Sequence, residues 1–467
     1  MMAQDKFRDE CGLMGVWNNP EAANLAYLGI YAQQHRGQEG AGVAAYDGAS
    51  SRLTVHRGLG LVAEVFHNFR FEKLPGKHAI GHVRYSTAGA NRLANVQPFQ
   101  AEVSTGKIAI AHNGNLINAD EIKRDLISQG SIFSCTSDSE VILHLIAKRC
   151  SDGSLVKAVS NALSQVRGAY SLVILAEDRL LAIRDPNGVR PLALGKLQQG
   201  YVVASETCAF DLLGAQYVRD IEPGEILEIS AADTLSSHHP WPAVTPSPCI
   251  FEYIYFARPD SNVFGRNVYR IRKEMGRELA RQSPVTADYV VPVPDSGVTA
   301  ALGYAEQSGI PLEMGLIRNH YVGRTFIEPQ QSIRDFGVKI KHNANADILR
   351  GKSIVVIDDS IVRGTTTKKL LKMLREAGVK EAHVRISAPP TQDPCFYGID
   401  TPQKEQLIAS KMSVEEIRAF IGADSLAYLN MESLYRAVNS ARGTFCDACF
   451  SGNYPLGKPA HLTPACR

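Results

Sequence analysis

Residues 354–369 read IVVIDDSIVRGTTTKK, and this stretch decides the second half of the fold. Ile354 to Ile357 form a short apolar β-branched run, the pattern of a buried strand. Two carboxylates follow, Asp358 and Asp359, then a hydroxyl- and glycine-rich turn that ends in Gly364-Thr365-Thr366-Thr367. Beyond it Leu370, Leu371, Met373 and Leu374 fall at helical spacing. A glycine-rich turn opening a helix presents backbone N–H groups and a positive dipole end, which suits a phosphate. An acidic pair beside it suits sugar hydroxyls or a magnesium ion. One strand–loop–helix therefore offers contacts to both ends of a phosphorylated sugar.

The same alternation continues outward. Strands at 288–293, 353–357 and 382–387 alternate with helices near 267–282, 298–308 and 365–378, the signature of a parallel sheet flanked by helices. Residues 413–440 read as two or three short helices, and the tail after Tyr454, with Pro455, Pro459 and Pro464, as irregular. Upstream, residues 234–249 concentrate Ser and Pro without a periodic pattern, and a boundary is placed there. This separates residues 11–240 from 241–467. The first half has β-rich runs at 79–84, 108–113, 170–175 and 201–204, interrupted by helical stretches near 21–34, 119–129, 138–150 and 154–166. Many strands with a few helices argue an α+β layered domain.

Composition bounds the partners. A chain of 467 residues exceeds one ordinary core, so two domains are expected. With 45% hydrophobic and 21% charged residues it has ordinary soluble composition. A net charge of +2 implies no nucleic acid or other large polyanion as partner. No apolar run is long enough for a membrane span, and residues 1–10 lack the apolar core of a secretory signal. Nine scattered cysteines in such a chain suggest catalysis or metal binding rather than disulfides, and a cytoplasmic location. Gly58 to Ala63, GLGLVA, fits the dinucleotide pattern G-x-G-x-x-A, but no strand–helix–strand unit continues from it, so it reads as a turn.

Cys11-Gly12 follows a charged decapeptide and precedes a strand-like Leu13 to Trp17. Four further blocks accompany it: QQHRGQEGAG at 33–42, GHVRYSTAG at 81–89, HNGNLIN at 112–118 and SDSE at 137–140. Together they resemble the glutaminase domain of class II amidotransferases, the N-terminal-nucleophile hydrolases, over about residues 11–230. The resemblance implies removal of residues 1–10 as a propeptide, leaving Cys11 as a terminal nucleophile with its own α-amine as base. An α-amine titrates near pH 8, close enough to neutrality for that task. The resemblance further implies that Arg84 holds the glutamine carboxylate and Asp138 its ammonium. Asn113 and the Gly114 N–H would form the oxyanion hole.

The second half resembles type I phosphoribosyltransferases. Residues 354–369 match their phosphoribosyl pyrophosphate (PRPP) loop, and VPVPDSG at 291–297 their pyrophosphate loop. This implies PRPP contacts from Asp358, Asp359, Ser360, Gly364, Thr365 and Thr366, with Mg2+ near Ser296, Asp358 and Asp359. Residues 317–342 hold seven Lys, Arg or His residues. By the resemblance they form a lid over PRPP with Arg324 as a charge clamp.

A glutaminase and a PRPP site in one chain resemble the glutamine PRPP amidotransferases, with substrates glutamine and PRPP. That family resemblance implies a homotetramer, purine nucleotides as feedback inhibitors and internal passage of ammonia. Cys446-Asp447-Ala448-Cys449 is a C-x-x-C pair, and Cys249 and Cys395 each follow a proline. Four converging thiolates suit zinc or an iron–sulfur cluster, and the residues alone do not separate these. The resemblance implies a 4Fe–4S cluster on Cys249, Cys395, Cys446 and Cys449. Two rivals differ in kind: another class II amidotransferase, which would lack VVIDDSIVRGTT, and a non-catalytic PRPP sensor, which would have no use for Cys11, Arg84, Asn113 and Asp138.

Overall fold

The computed structural model describes residues 11–85, 92–150, 153–319 and 342–459. The N-terminal half contains strands β1 (Gly12–Trp17), β2 (Gly40–Asp47), β3 (Arg52–Leu59), β4 (His78–Arg84), β5 (Phe99–Val103), β6 (Gly106–Leu116) and β7 (Gly168–Ala176). It continues with β8 (Arg179–Arg184), β9 (Ala193–Lys196), β10 (Tyr201–Ala204), β11 (Gln216–Asp220), β12 (Ile226–Ser230) and β13 (Thr234–His238). They make a seven-stranded sheet, β11-β9-β10-β1-β4-β2-β3, and a six-stranded sheet, β13-β12-β8-β7-β6-β5.

Period-two alternation sorts their side chains into layers. On β1, Leu13 and Trp17 share an apolar cluster with Ala109 and Ala111 of β6 and Val173 and Leu175 of β7. The intervening Met14 and Val16 pack with Ala22, Ala26 and Ile30 of helix Ala22–Ala32. On the second sheet, Ile108, Ile110, Leu172 and Ile174 pack with Val141, Ile142 and Leu145 of helix Ser139–Arg149. Two sheets thus meet face to face, with helices on both outer surfaces.

The C-terminal half begins with a short ribbon, β14 (Asn262–Val263) and β15 (Arg266–Asn267). It continues with β16 (Tyr289–Pro292), β17 (Leu316–Arg318), β18 (His342–Ala344), β19 (Ser353–Asp358), β20 (Glu381–Ile386) and β21 (Ser425–Tyr428). A four-stranded sheet has the order β16-β19-β20-β21, parallel throughout. Val355 and Ile357 face Met275, Leu279 and Tyr304 of helices Val268–Gln282 and Val298–Ser308. Ile354 and Val356 face Leu370, Leu371 and Leu374 of helix Thr365–Glu376. Burial on both faces is why this strand is a continuous apolar run rather than an alternating one. Ile117, Ala169 and Val189 join the same cluster as Ile250, Phe251, Tyr397 and Phe450, so the halves share an apolar core.

Two segments differ from the sequence reading. Thr234–His238, inside the unpatterned 234–249 segment, is the edge strand β13, paired with β12. Its side chains are largely exposed, so no apolar alternation marks it. Between helices Val414–Ile421 and Met431–Ala437 the chain inserts β21, a four-residue strand too short to announce itself. Gly58–Ala63 leads from β3 into a single helical turn, Val62–Val65, and β3 pairs antiparallel with β2.

Candidate active sites

The first site lies at one end of the gap between the two antiparallel sheets. β1 and β4 pair with Gly12 opposite Val83 and Leu13 opposite His82, a register that sets Cys11 against Arg84. Parity places Arg84 on the inward face with Ile80, and Cys11, with φ +53°, immediately precedes β1. Asn113 follows Ala109 and Ala111 along the inward face of β6. The sheets touch here: His82 Nε2 lies 3.1 Å from the His112 carbonyl oxygen. Cys11 is buried, with Sγ 3.7 Å from Tyr85 O, and Arg36 Nε donates to the Cys11 carbonyl at 3.3 Å. Arg84 Nη1 lies 3.5 Å from Glu39 Oε2.

Asn113 is 0% exposed, and among the described residues neither its Oδ1 nor its Nδ2 has a hydrogen-bond partner. Leaving such a group unmatched costs about 1–3 kcal/mol, so a buried amide of this kind marks a place where a ligand atom is expected. Gly114 has φ +142°, and a Cβ there would come within 2.1 Å of Ala169 O, so only glycine fits. Behind Asn113 a polar lattice fixes the strand. The His112 N–H donates to Gln97 Oε1 at 2.7 Å, Gln97 Nε2 donates to Ser139 Oγ at 3.1 Å, and His112 Nδ1 lies 2.9 Å from the same hydroxyl. Burial lowers the pKa of His112 and pulls that of His82 down to about 3, so both rings are neutral near pH 7. Asp138 Oδ2 accepts the Leu116 N–H at 3.0 Å, which ties its carboxylate to β6. Gln97, His112 and Ser139 carry no assigned role in the sequence reading; His112 and Ser139 adjoin Asn113 and Asp138, and Gln97 carries no local signal.

The second site occupies the carboxyl-terminal edge of the parallel sheet, the usual place for ligands in open α/β sheets. β16 and β19 are neighbours, so the loops after Pro292 and Asp358 emerge side by side. Ser296 Oγ donates to Asp358 Oδ1 at 3.5 Å, joining the two loops. Asp358 and Asp359 are both buried; Asp359 N–H donates to Asp358 Oδ1 at 2.9 Å, and Ser360 Oγ donates to Asp359 Oδ1 at 2.5 Å. Gly364, with φ +76°, opens helix Thr365–Glu376, and no side chain caps that end. Thr365 and Thr366 begin the helix at the mouth of the site. Arg318 pairs with Asp295 in the pyrophosphate loop. Arg324 lies outside the described residues, as do residues 1–10, Ser86–Gly89 and Cys466.

The four cysteines border the apolar cluster that the two halves share. Cys249 and Cys446 form a parallel bridge: Cys446 N–H donates to Pro248 O at 2.8 Å and Ile250 N–H to Cys446 O at 3.2 Å. Cys449 O accepts the N–H groups of Gln392 and Asp393 at 3.0 and 3.1 Å, drawing in the Cys395 loop. Burial, then Cys249 and Cys395 beside it, raise the Cys449 thiol well above its usual range. Burial also raises Cys249, to about 12. Among the described residues, no three or more His, Cys, Asp and Glu side chains are grouped to hold a single metal ion. No helix among them is long and apolar enough to cross a membrane.

Comparison with known proteins follows this two-part geometry. A glutamine amidotransferase domain family matches residues 82–211 and a phosphoribosyl transferase domain family residues 265–395. The chain is 50% identical to the amidophosphoribosyltransferase of Bacillus subtilis over 462 residues, 97% of this chain and 96% of that one. It is 52% identical to amidophosphoribosyltransferase 1, chloroplastic, of Arabidopsis thaliana, covering 98% of this chain and 80% of the relative. A solved structure of the B. subtilis glutamine PRPP amidotransferase complexed with ADP and GMP superposes with a TM-score of 0.90 at 50% identity, covering 95% of this chain and 97% of that one. The chain belongs to the amidophosphoribosyltransferase family, glutamine-dependent phosphoribosyltransferases of purine biosynthesis.

Proposed function

We propose that Cys11 releases ammonia from glutamine and that the ammonia attacks the anomeric carbon of PRPP held at Asp358 to Thr366, giving 5-phosphoribosylamine and pyrophosphate. The observation that carries the first half is the buried amide of Asn113, without a hydrogen-bond partner among the described residues, on the sheet that faces Arg84 and β1.

In this reading residues 1–10 are removed and the α-amine of Cys11 takes the thiol proton. The thiolate attacks the carboxamide carbon, and the oxygen that gains negative charge is met by Asn113 Nδ2 and the Gly114 N–H. Collapse expels ammonia, and water then cleaves the thioester to glutamate. Arg84 binds the substrate carboxylate as a fork, and Asp138 binds the ammonium.

At the second site Asp358 and Asp359 receive the ribose hydroxyls, and the helix start at Gly364, Thr365 and Thr366 receives the 5-phosphate. Magnesium, for which Ser296, Asp358 and Asp359 are a fitting all-oxygen donor set, would neutralise the departing pyrophosphate. The cysteines suit a 4Fe–4S cluster: Cys249, Cys446 and Cys449 are buried, with half-buried Cys395 near enough to raise their thiols, and such thiols need a cationic group to lie there ionised. The cluster's place is structural, since no ligand belongs to either reacting loop. A homotetramer in the cytoplasm, regulated by purine nucleotides, completes the proposal. The ADP and GMP named for the B. subtilis relative support the last point.

Cys11→Ala, expressed from residue 11, tests the division of labour. Glutamine-dependent turnover should fall by about 10⁴-fold or more, as removal of a nucleophile does. Turnover with a high concentration of ammonium salt should persist, because free ammonia bypasses the first site. Equal loss of both activities in a folded protein would contradict the reading.

A further inference from the structure

Four charged side chains lie fully buried where the two halves meet. Arg36 Nη2 donates to Glu252 Oε1 at 2.7 Å and Arg36 Nη1 to Glu252 Oε2 at 3.1 Å, while Nη1 also pairs with Glu206. Arg190 Nη2 lies 2.9 Å from Glu252 Oε1. Glu206 takes further support from the C-terminal half, through the Arg258 N–H at 2.9 Å and Ser261 Oγ at 2.8 Å. The remaining donor of Arg36, Nε, points at the carbonyl of Cys11.

Stability does not account for this arrangement. Burying four charges carries a large desolvation cost, and buried ion pairs replaced by well-packed apolar side chains often leave a protein as stable or more so. The arrangement does confer fixed geometry, because a guanidinium is a rigid planar fork whose donors cannot be redirected one at a time. With both of its ends pinned by carboxylates, Arg36 holds the Cys11 carbonyl in one place. The terminal residue has no preceding peptide in the mature chain to do this.

We propose that Glu252, supplied by the transferase half, is a positioning residue for the glutaminase nucleophile: it orients Arg36, and Arg36 fixes Cys11. The proposal rests on Cys11 being that nucleophile. It makes the glutaminase site incomplete without the second half, although none of the side chains assigned to glutamine comes from there.

The test is Glu252→Gln in the full enzyme, which keeps the shape but removes the charge. The kcat for glutamine hydrolysis should fall about tenfold or more, within the 10² that a misplacement of about 1 Å costs. KM for glutamine should change little, because Arg84 and Asp138 are untouched. Ammonia-driven transfer should stay near the parent value, and a diazoketone analogue of glutamine should alkylate Cys11 correspondingly more slowly. Arg36→Lys, which keeps a positive charge but loses the fork, should show the same split. Unchanged glutamine turnover, a fall confined to KM, parallel loss of both activities, or failure of both variants to fold would each overturn the proposal. Failure of the Cys11 reading is distinguishable, since it would appear as glutamine turnover surviving Cys11→Ala.

Discussion

The two sites of this chain solve opposite problems. The proposed glutaminase site is set at strand ends between two sheets, where Cys11 precedes β1 and Arg84 and Asn113 lie on the facing strands β4 and β6. The transferase site is set on loops at the edge of a parallel sheet, where Ser296 reaches Asp358 and Gly364 opens the following helix. In the proposed reading the first stabilises charge developing on a small uncharged amide, and the buried donors of β6 suit that. The second grips a large polyanion, which backbone N–H groups, hydroxyls and a cation suit better than a dry pocket. The lesson is that both sites bury their polar groups, the first on facing strands that fix single donors and the second on contiguous loops that gather carboxylates, hydroxyls and N–H groups.

The sharpest way to break this contrast is Asp358→Asn with Asp359→Asn. Both ammonia sources need the same PRPP, so glutamine-driven and ammonia-driven turnover should fall together. Two charge-assisted contacts at about 1.5–3 kcal/mol each amount to roughly a 10³-fold loss. Glutamine hydrolysis without PRPP should remain measurable as glutamate release. Normal PRPP affinity in a binding titration of the double variant would refute the role given to the acidic pair.

How much of each site could be read in advance follows from the same contrast. The PRPP loop was legible because a strand–loop–helix site is contiguous, so residues 354–369 carry strand, acids, turn and helix start in order. The proposed glutaminase site is spread over residues 11, 84, 113 and 138, which strand pairing, the packing of two sheets and a helix start bring together, and single residues such as Cys11 carry no pattern of their own. Family resemblance, not periodicity, pointed to them. The buried charges were not legible at all. Charged side chains belong at the surface by default, and nothing local in QQHRGQEG separates Arg36 from a solvated arginine. β13 and β21 escaped for another reason: an exposed edge strand and a four-residue strand lack the alternation on which a strand reading depends.

The cysteines offer a second, smaller test, because they sit at the junction and in neither reacting loop. Cys446→Ser should lower stability by on the order of 5 kcal/mol, the scale on which losing a structural metal acts. The soluble fraction should keep ratios of glutamine-driven to ammonia-driven turnover close to the parent. Parent protein assembled anaerobically should contain iron and acid-labile sulfide in similar amounts. Zinc in their place, or full iron content in Cys446→Ser, would refute the cluster.

The smallest effect expected comes from Asn115, two residues beyond Asn113 on β6 and on the same face. Its Nδ2 donates to Phe396 O at 2.9 Å, next to Cys395, so the strand that carries Asn113 and Gly114 is tied directly to the C-terminal half. Asn115→Ala removes one neutral hydrogen bond and leaves a carbonyl to be met by water, a loss of about 1 kcal/mol. If β6 is held by its sheet partner β7 and by the His112–Gln97–Ser139 lattice, that loss should appear as a melting temperature lower by a few degrees, with glutamine kcat within about twofold of the parent. A fall of tenfold or more in kcat without a matching drop in stability would mean that the lattice is not what fixes Asn113. The rigidity credited here to the glutaminase sandwich would then come from its neighbour, as it does for Cys11 through Glu252.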